Sequence, residues 1–192
     1  MRVDIGAEVS VFTTPVFVVG TYKENGEANA MTVAWCGQCS TQSVMIAIRQ
    51  ERCTYENIKR EGAFTIHIAD AAHAKQTDYF GMFSGNRANK LEATGMHALP
   101  AKMVHAPIIE GFPIVLECKC IASYREGSHV MLIGHVENTS VLEECLDEAR
   151  KLDPEKLAPL MLEPIGNHYC TAEKKLDKAF CCGRAFQNIN KL

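Results

Sequence analysis

The feature that most constrains the fold of this chain is a pair of strand-like segments joined by Asn25 and Gly26. Residues 15–22 and 28–35 are apolar at most positions, as in strands buried on both faces, and Asn-Gly is a favoured pair for a tight hairpin turn. Period-two patterns predict further strands at residues 43–50, 63–69, 114–124 and 129–136, and helices are predicted at residues 55–61 and 71–83. Many strands linked by short turns favour an antiparallel barrel over a parallel, doubly wound sheet.

The length of the chain indicates one domain. Its 192 residues, of which 47% are hydrophobic, suffice for one sizeable core, and we expect a single domain over residues 1–192. From about residue 142 the pattern turns helical and then irregular around three prolines, which indicates a C-terminal extension. We expect the apolar stretch at residues 157–165 to cross onto a neighbouring copy of the chain.

Charge and local signatures exclude several classes of protein. A net charge of −3 gives no basic excess, so we expect no nucleic-acid partner. No apolar run reaches the roughly 18 residues that span a bilayer, and the amino terminus lacks the apolar core of a signal peptide, so we expect a cytoplasmic protein without a membrane partner. Neither a G-x-G-x-x-G fingerprint nor a P-loop opens a helix, which argues against a Rossmann or P-loop nucleotide site.

The nine cysteines leave one alternative open. Cys36 and Cys39 have the spacing of a redox dithiol or of half a zinc site. Cys118 and Cys120 fall on the apolar face of a strand and read as small core residues, so they supply no clean second pair. The seven histidines are scattered without metal-ligand spacing, and we predict no metal site.

The most informative segment for function is residues 29–35, with the helix start that follows it. A strand of small, flat residues can lie against a planar heteroaromatic ring, while Arg52 and Thr54 at a helix N-terminus can hold a phosphate. Ring and phosphate together suggest flavin mononucleotide (FMN). Thr54 is also predicted to be the N-cap of the helix, and Ser40, Thr41, Arg49 and Lys90 are further phosphate candidates.

Several motifs occur here in a fixed order and together carry a resemblance. They are Asn29-Ala30-Met31-Thr32, Arg52-x-Thr54, Gly62 to His67, Asp78-Tyr79-Phe80-Gly81-x-x-Ser84-Gly85 with Lys90, and Gly127-x-His129 before Gly134-x-Val136. Over roughly residues 12 to 140 the chain resembles the flavin reductase-like family with the FMN-binding split barrel, and especially its flavoredoxin branch.

The resemblance implies a mostly β protein with a few helices, built as a split antiparallel barrel with Greek-key-like connections and assembled as a homodimer. It implies that FMN is the cofactor, with NAD(P)H as co-substrate and a flavin, a small molecule or a redox protein as electron acceptor. His129 would lie beside the flavin and the nicotinamide as the catalytic residue. The implied cofactor-binding residues are Asn29, Ala30, Met31, Thr32, Ala34, Trp35, Ser40, Thr41, Arg49, Arg52, Thr54, Tyr79, Gly81, Ser84, Gly85 and Lys90.

Two positions depart from the family pattern. Gln42 and Ser43 replace a proline pair that many relatives carry before the third strand, which affects the turn that presents Ser40 and Thr41. Ser128 stands where relatives often have an acid before the histidine, and this weakens the case for a nicotinamide site. A flavoredoxin-type electron carrier without direct NAD(P)H oxidation therefore remains an alternative.

Overall fold

The computed structural model describes residues 1–8, 11–171 and 176–184. Its strands are β1 (Thr14–Pro15), β2 (Phe17–Tyr22), β3 (Ala28–Val33), β4 (Cys36–Gln38), β5 (Ser43–Arg49), β6 (Ala63–Ile68), β7 (Ala98–Pro100), β8 (Pro107–Ile109), β9 (Ile114–Glu126), β10 (His129–Val141), β11 (Leu160–Glu163) and β12 (His168–Thr171). Its α-helices are α1 (Cys53–Glu61), α2 (Ala74–Met82), α3 (Lys90–Thr94) and α4 (Pro154–Leu157). In the described part of the chain, no helix is long and apolar enough to cross a membrane.

A seven-stranded antiparallel sheet dominates the molecule. Its strand order is β3-β2-β6-β9-β10-β5-β4, and the sheet curls so that the segment after β3 meets β5, where the Ala47 N–H donates to the Trp35 carbonyl over 2.8 Å. Two smaller sheets, β1-β11-β12 and β7-β8, pack against it. The mostly β, split-barrel fold predicted from the sequence is confirmed.

Strands β2, β3 and β6 of this sheet are buried on both faces. On β2, Phe17 and Val19 point into a core inside the curl, whereas Val18 belongs to a second core. That second core includes Phe80 from α2 and Leu91 from α3. Strands covered on both faces lose the polar-out alternation, which is why these runs are apolar at most positions.

The structure shifts several predicted boundaries. The strand expected to reach residue 35 ends at Val33, and Trp35 lies in the bend that follows it. The helix expected at residues 71–83 is a single 3-10 turn followed by α2, because the Asp70 side chain caps the turn by accepting from the His73 N–H. Strands β9 and β10 extend further than predicted, with register shifts that interrupt the ladder.

Residues 160–163, within the stretch expected to cross onto a neighbour, form a strand in a sheet of this chain, and the crossing itself stays a prediction. Strand β11 pairs with β1 and β12 of the same chain, and the Val16 N–H donates to the Leu160 carbonyl over 3.2 Å. Leu160 is 4% exposed and packs in the second core, whereas Ile165 in the same stretch is 74% exposed. After β12, residues 172–175 and 185–192 lie outside the described residues.

One histidine proves to be structural. The fully buried His67 ring accepts from the Ile109 N–H at Nε2 over 2.8 Å, so its Nδ1 carries the proton and donates to the Val18 carbonyl over 2.9 Å. Burial lowers the pKa of His67 to about 4, so the ring is neutral at physiological pH. His67 therefore ties β6 to its neighbours and has no role at the site described next.

Candidate functional site

An open cavity of about 270 Å³ lies where β3 leaves the sheet; we call it the Trp35 cavity. Strand β3 is an edge strand, so alternate backbone N–H groups have no strand partner on that side. Backbone donors and small side chains at an open edge suit a flat, hydrogen-bonding ring. The lining residues are Met31, Thr32, Val33, Ala34, Trp35, Ala47, Ile48, Arg49, Arg52, Gly81 and His129.

Helix α2 forms one wall of this cavity through Gly81. A Cβ at Gly81 would lie 3.3 Å from the Thr32 Cβ, so glycine permits the close approach of helix and strand. The Thr32 hydroxyl already donates to the Thr77 carbonyl of α2. Thr32 therefore offers a ligand its backbone N–H and hydroxyl lone pairs rather than a free hydroxyl proton.

Aromatic and cationic side chains also line the Trp35 cavity. The rings of Trp35 and His129 are tilted against each other with centroids 4.5 Å apart. His129 opens β10 directly opposite Arg49 of β5, and its Nδ1 lies 3.1 Å from the Ser128 hydroxyl oxygen. Trp35 is 58% exposed, so a large apolar surface stands open at the cavity mouth.

A second cavity, of about 340 Å³, adjoins the first; we call it the Cys53 cavity. Arg52 lines both cavities, since it precedes α1 and sits between them. The other lining residues are Lys23, Glu24, Asn25, Glu51, Cys53, Glu56, Asn57 and Asn86. Glu24, Glu51 and Glu56 are all exposed residues, whereas Asn57 is buried.

Lys90 supplies a buried cation close to this second cavity. Its side chain is 3% exposed, and its Nζ donates to the Phe80 carbonyl over 3.0 Å. Burial, together with the nearby positive charges of Arg52 and Lys23, lowers the pKa of Lys90 to about 8, while a Cys53 thiolate would raise it. Among the described residues no carboxylate forms an ion pair with Lys90, so a buried charge is left without a protein counter-ion.

Three of the predicted cofactor residues lie behind the cavities rather than on them. Asn29, Ala30 and Thr54 are at most 2% exposed, and the Asn29 Nδ2 donates to the Thr54 Oγ1 over 3.1 Å. The prediction that Thr54 is the N-cap is wrong, because α1 begins at Cys53 and its N-cap is Arg52. The helix therefore starts two residues earlier than predicted, at Cys53 rather than at Tyr55.

The remaining predicted residues fall into two places. Ser40 and Thr41 line a third cavity, of about 640 Å³, together with residues of β9 and β10, so the structure does not bring them together with Arg52. Tyr79 stacks on Phe83 with centroids 4.4 Å apart, and the Ser84 hydroxyl accepts from the Asn86 N–H. Contact of Ser40, Thr41, Tyr79, Ser84 and Gly85 with a cofactor stays a prediction.

The structure bears on the cysteine alternative through Cys36. Cys36 lies on the edge strand β4, its Sγ donates to the Pro15 carbonyl over 3.3 Å, and burial raises its pKa to about 12. Such a thiol stays protonated at neutral pH and is a poor nucleophile or metal ligand. The part of the chain that the structure describes also holds no cluster of three or more side chains suited to a metal ion.

Sequence reasoning missed Cys53, Asn57 and Asn86. Asn57 follows Arg52 by five residues in the sequence and so belongs to the first turns of the predicted helix, but nothing in the local pattern distinguishes it from a solvated helix residue. Ala47 and Ile48 were recognised only as strand residues. The curl of the sheet, a long-range feature, is what brings them to the Trp35 cavity.

The curled sheet and its edge cavity define a class of protein, and comparison with known proteins agrees. The family model of the flavin reductase like domain matches residues 9–171, so the chain belongs to that family. Within it the chain falls in the flavoredoxin branch. It is similar to the flavoredoxin of Desulfovibrio vulgaris (Miyazaki F), with 34% identity and a TM-score of 0.89, covering 95% of this chain and 100% of that one.

More distant relatives share the fold. Flavoredoxin from Methanosarcina acetivorans has 23% identity and a TM-score of 0.89, covering 97% of this chain and 99% of that one. The FMN-binding protein from Thermus thermophilus has 19% identity and a TM-score of 0.76, covering 93% and 97%. A curated, uncharacterized protein of Aeropyrum pernix is 24% identical over 71% of this chain, and the match spans about half, 53%, of that relative's length.

Proposed function

We propose that this protein binds FMN and passes electrons from NAD(P)H through it to a flavin, a small acceptor or a redox protein. The observation that carries the proposal is the arrangement around Arg52. Arg52 lines both the cavity at the β3 edge and the Cys53 cavity, and the buried Lys90, which has no carboxylate partner among the described residues, lies close enough to Arg52 and Cys53 to interact with both electrostatically. A flat ring with an anionic tail fits these two neighbouring cavities. The structural relatives, which include an FMN-binding protein, favour the same ligand.

The Trp35 cavity fits the ring end of the cofactor. Backbone N–H groups of β3 are fixed in direction by the sheet, and donors aimed at the ring stabilise the negative charge it gains on reduction. Trp35 and the aliphatic lining residues provide apolar contact. When bound, the flavin supplies the chemistry of accepting a hydride and releasing electrons, while the protein supplies binding and orientation.

The Cys53 cavity fits the phosphate end. A phosphate next to Arg52 would form charge-assisted hydrogen bonds, and it would also give Lys90 the counter-ion that the described protein residues do not supply. Arg52 is the N-cap of α1, and the partial positive charge of a helix N-terminus favours an anion there. The exposed carboxylates at the rim can turn towards solvent, whereas Lys90 is held in place by burial.

Binding can be measured directly, because Trp35 is the only tryptophan in the chain. Titration of flavin-free protein with FMN should quench the Trp35 fluorescence and restore a visible flavin spectrum. Protein that takes up no FMN would overturn the proposal.

Arginine variants test where the phosphate lies. Changing Arg52 to Ala should weaken FMN binding by about 1.5–3 kcal/mol, roughly ten- to a hundredfold, with little change in the melting temperature of the flavin-free protein. Arg49→Ala is the matched control, since Arg49 lines only the Trp35 cavity. Equal effects of the two variants would show that Arg52 does not hold the phosphate.

His129 is the candidate for contact with the electron donor. It lies at the mouth of the Trp35 cavity, where its imidazole can orient a nicotinamide or relay a proton. Rapid mixing of the FMN-loaded protein with NADH and with NADPH should bleach the flavin absorbance. His129→Asn should slow that step without releasing FMN.

A second candidate function is an electron carrier that another protein reduces. The observation that favours it is Ser128, which puts a neutral hydroxyl rather than an acid next to the His129 Nδ1. Loss of bleaching with both nucleotides, in protein that still binds FMN, would select this function over the reductase.

We also propose that the protein is a cytoplasmic homodimer, as its resemblance to the family implies. All nine cysteines are free thiols, which suits a reducing compartment. Light scattering at micromolar concentration should give twice the mass of the chain, and a monomeric mass would contradict the dimer.

A further inference from the structure

Four buried polar side chains form a network next to the two cavities: Asn57 lines the Cys53 cavity, and the other three line neither. Thr21, Asn29, Thr54 and Asn57 are each at most 3% exposed. The Asn57 Nδ2 donates to the Thr21 Oγ1 over 2.9 Å, and the Asn29 Nδ2 lies 3.1 Å from the Thr54 Oγ1 and 3.5 Å from the Thr21 Oγ1. We call these four residues the Thr21 network.

The Thr21 network joins the two elements that the proposed cofactor would bridge. Asn29 is on β3, which borders the Trp35 cavity, and Asn57 is on α1, which begins next to Arg52. Asn57 is held from its other side as well, since its Oδ1 lies 3.5 Å from Arg60 Nη1. Buried polar groups that find their partners make a connection rigid and geometrically specific.

Helix α1 depends on these bonds for its position. Its N-cap residue is Arg52, and no side chain among the described residues caps its first N–H groups. A helix commonly gains both stability and a fixed starting point from such a cap. Here the hydrogen bonds of Thr54 and Asn57, the second and fifth residues of the helix, tie the first turns to the sheet instead.

We propose that Thr21 is a positioning residue which, through the Thr21 network, fixes the distance between the strand amides of β3 and Arg52. The inference rests on the proposed function, because the distance matters only if one ligand spans both cavities. Thr21 itself lines neither cavity and contacts the ligand only through others. The network would thus determine how strongly the protein prefers FMN over riboflavin, which has the same ring but no phosphate.

The competing interpretation is that the network only stabilises the core. The two interpretations differ in one measurable quantity, the ratio of the dissociation constants for riboflavin and FMN. Loss of general stability weakens both flavins together and leaves the ratio unchanged. A displaced helix start weakens only the contact with the phosphate, so the ratio falls.

Thr21→Val is the principal test variant, because it keeps the shape of the side chain and removes the oxygen that accepts from Asn57. Thr65→Val is the matched control: Thr65 is equally buried, lines neither cavity and bonds to no member of the Thr21 network, since its hydroxyl donates to the Pro107 carbonyl and lies 3.4 Å from the Gly20 carbonyl. Thr21→Ser keeps the hydroxyl and should restore the wild-type ratio. Thr54→Val removes another acceptor of the network and replaces the first variant if that fails to fold.

Titrations with FMN and riboflavin, followed by Trp35 fluorescence, give the ratio, and thermal unfolding gives the stability. We expect Thr21→Val to lower the ratio about tenfold with riboflavin affinity within about twofold of wild type, an effect on the scale of one strong hydrogen bond. Thr65→Val should lower the melting temperature and leave the ratio unchanged.

An unchanged ratio in Thr21→Val, or the same fall in Thr65→Val, would overturn the inference while leaving FMN binding intact. Wild-type protein that binds neither flavin would instead overturn the proposed function, and the positioning role with it.

Discussion

The first half of strand β3 is closed off from solvent, whereas its second half and the segment after it line an open cavity. Asn29 and Ala30 are 2% and 0% exposed, and Trp35, five residues on from Ala30, is 58% exposed. The closed half makes side-chain hydrogen bonds to α1. The open half offers backbone groups and an aromatic surface.

This difference shows that one strand can both build a site and serve as its surface. The closed half contributes through geometry, since it fixes the helix that begins at Arg52. The open half contributes through contact. Substitutions in the closed region should therefore change what the phosphate end recognises, and substitutions in the open region should affect any flavin alike.

The largest effect on stability is expected at Gly85, which lies against Asn29 in the closed half of β3. A Cβ there would lie 2.1 Å from the Asn29 Oδ1 and 3.4 Å from the Cys53 Sγ. Because Asn29 is buried and hydrogen-bonded, it has little room to yield, so Gly85→Ala should lower the free energy of unfolding by about 3 kcal/mol, at the upper end for overpacking. Denaturant unfolding of flavin-free protein measures the loss.

Gly37→Ala is the control for this change. A Cβ at Gly37 meets nothing within 4 Å, so the same added methyl group should be nearly neutral for stability. A Gly85→Ala protein with wild-type stability and FMN affinity would mean that the closed half is not tightly packed, and the contrast between the two halves would fail.

The next largest effect is expected for Lys90→Met, which should move stability and binding in opposite directions. Removing a buried charge that lacks a carboxylate partner should stabilise the flavin-free protein by about 1–3 kcal/mol at pH 7. The same change should weaken FMN by about 1.5–3 kcal/mol and leave riboflavin unaffected. Unfolding and flavin titration of one preparation measure both.

The pKa of Lys90 adds a smaller, pH-dependent effect. Its pKa is lowered from 10.5 to about 8, so between these values the unfolded chain holds a proton that the flavin-free fold has lost. Stability of the flavin-free protein should therefore rise with pH through that window. FMN affinity should fall by up to about tenfold from pH 8 to 9, as the ammonium loses its charge. In Lys90→Met both trends should disappear, and their persistence would assign them to another group.

The open half was the easier part to predict from the sequence. Residues 29–35 carry a local pattern, and Arg52 follows at a helix start, so the sequence alone indicated a ring and a phosphate near them. The fold class followed from strand patterns and the Asn25–Gly26 turn, which act over short distances. The structure places Met31, Thr32, Ala34, Trp35, Arg49, Arg52, Gly81 and His129 around one cavity.

The closed half was harder, because its connections run between distant segments. Thr54 was predicted to cap its own helix, but its hydroxyl accepts from Asn29, 25 residues away in the sequence. Nothing local marks Thr21 or Asn57 as buried partners. Strand β11 was not predicted from the sequence for the same reason, since its pairing with β1 depends on the folded arrangement of both ends.

The smallest effect is expected at Trp35, the most exposed part of the open half. Trp35→Leu should change the free energy of unfolding by less than about 0.5 kcal/mol, because a side chain that is mostly exposed contributes little to the core. It should weaken FMN and riboflavin equally, by about 0.5–1.5 kcal/mol, since it removes an aromatic contact with the ring they share. Flavin fluorescence replaces tryptophan fluorescence as the readout. If the binding of FMN alone were weakened, Trp35 would contribute to the phosphate end. The proposed difference in function between the two halves of β3 would then be wrong.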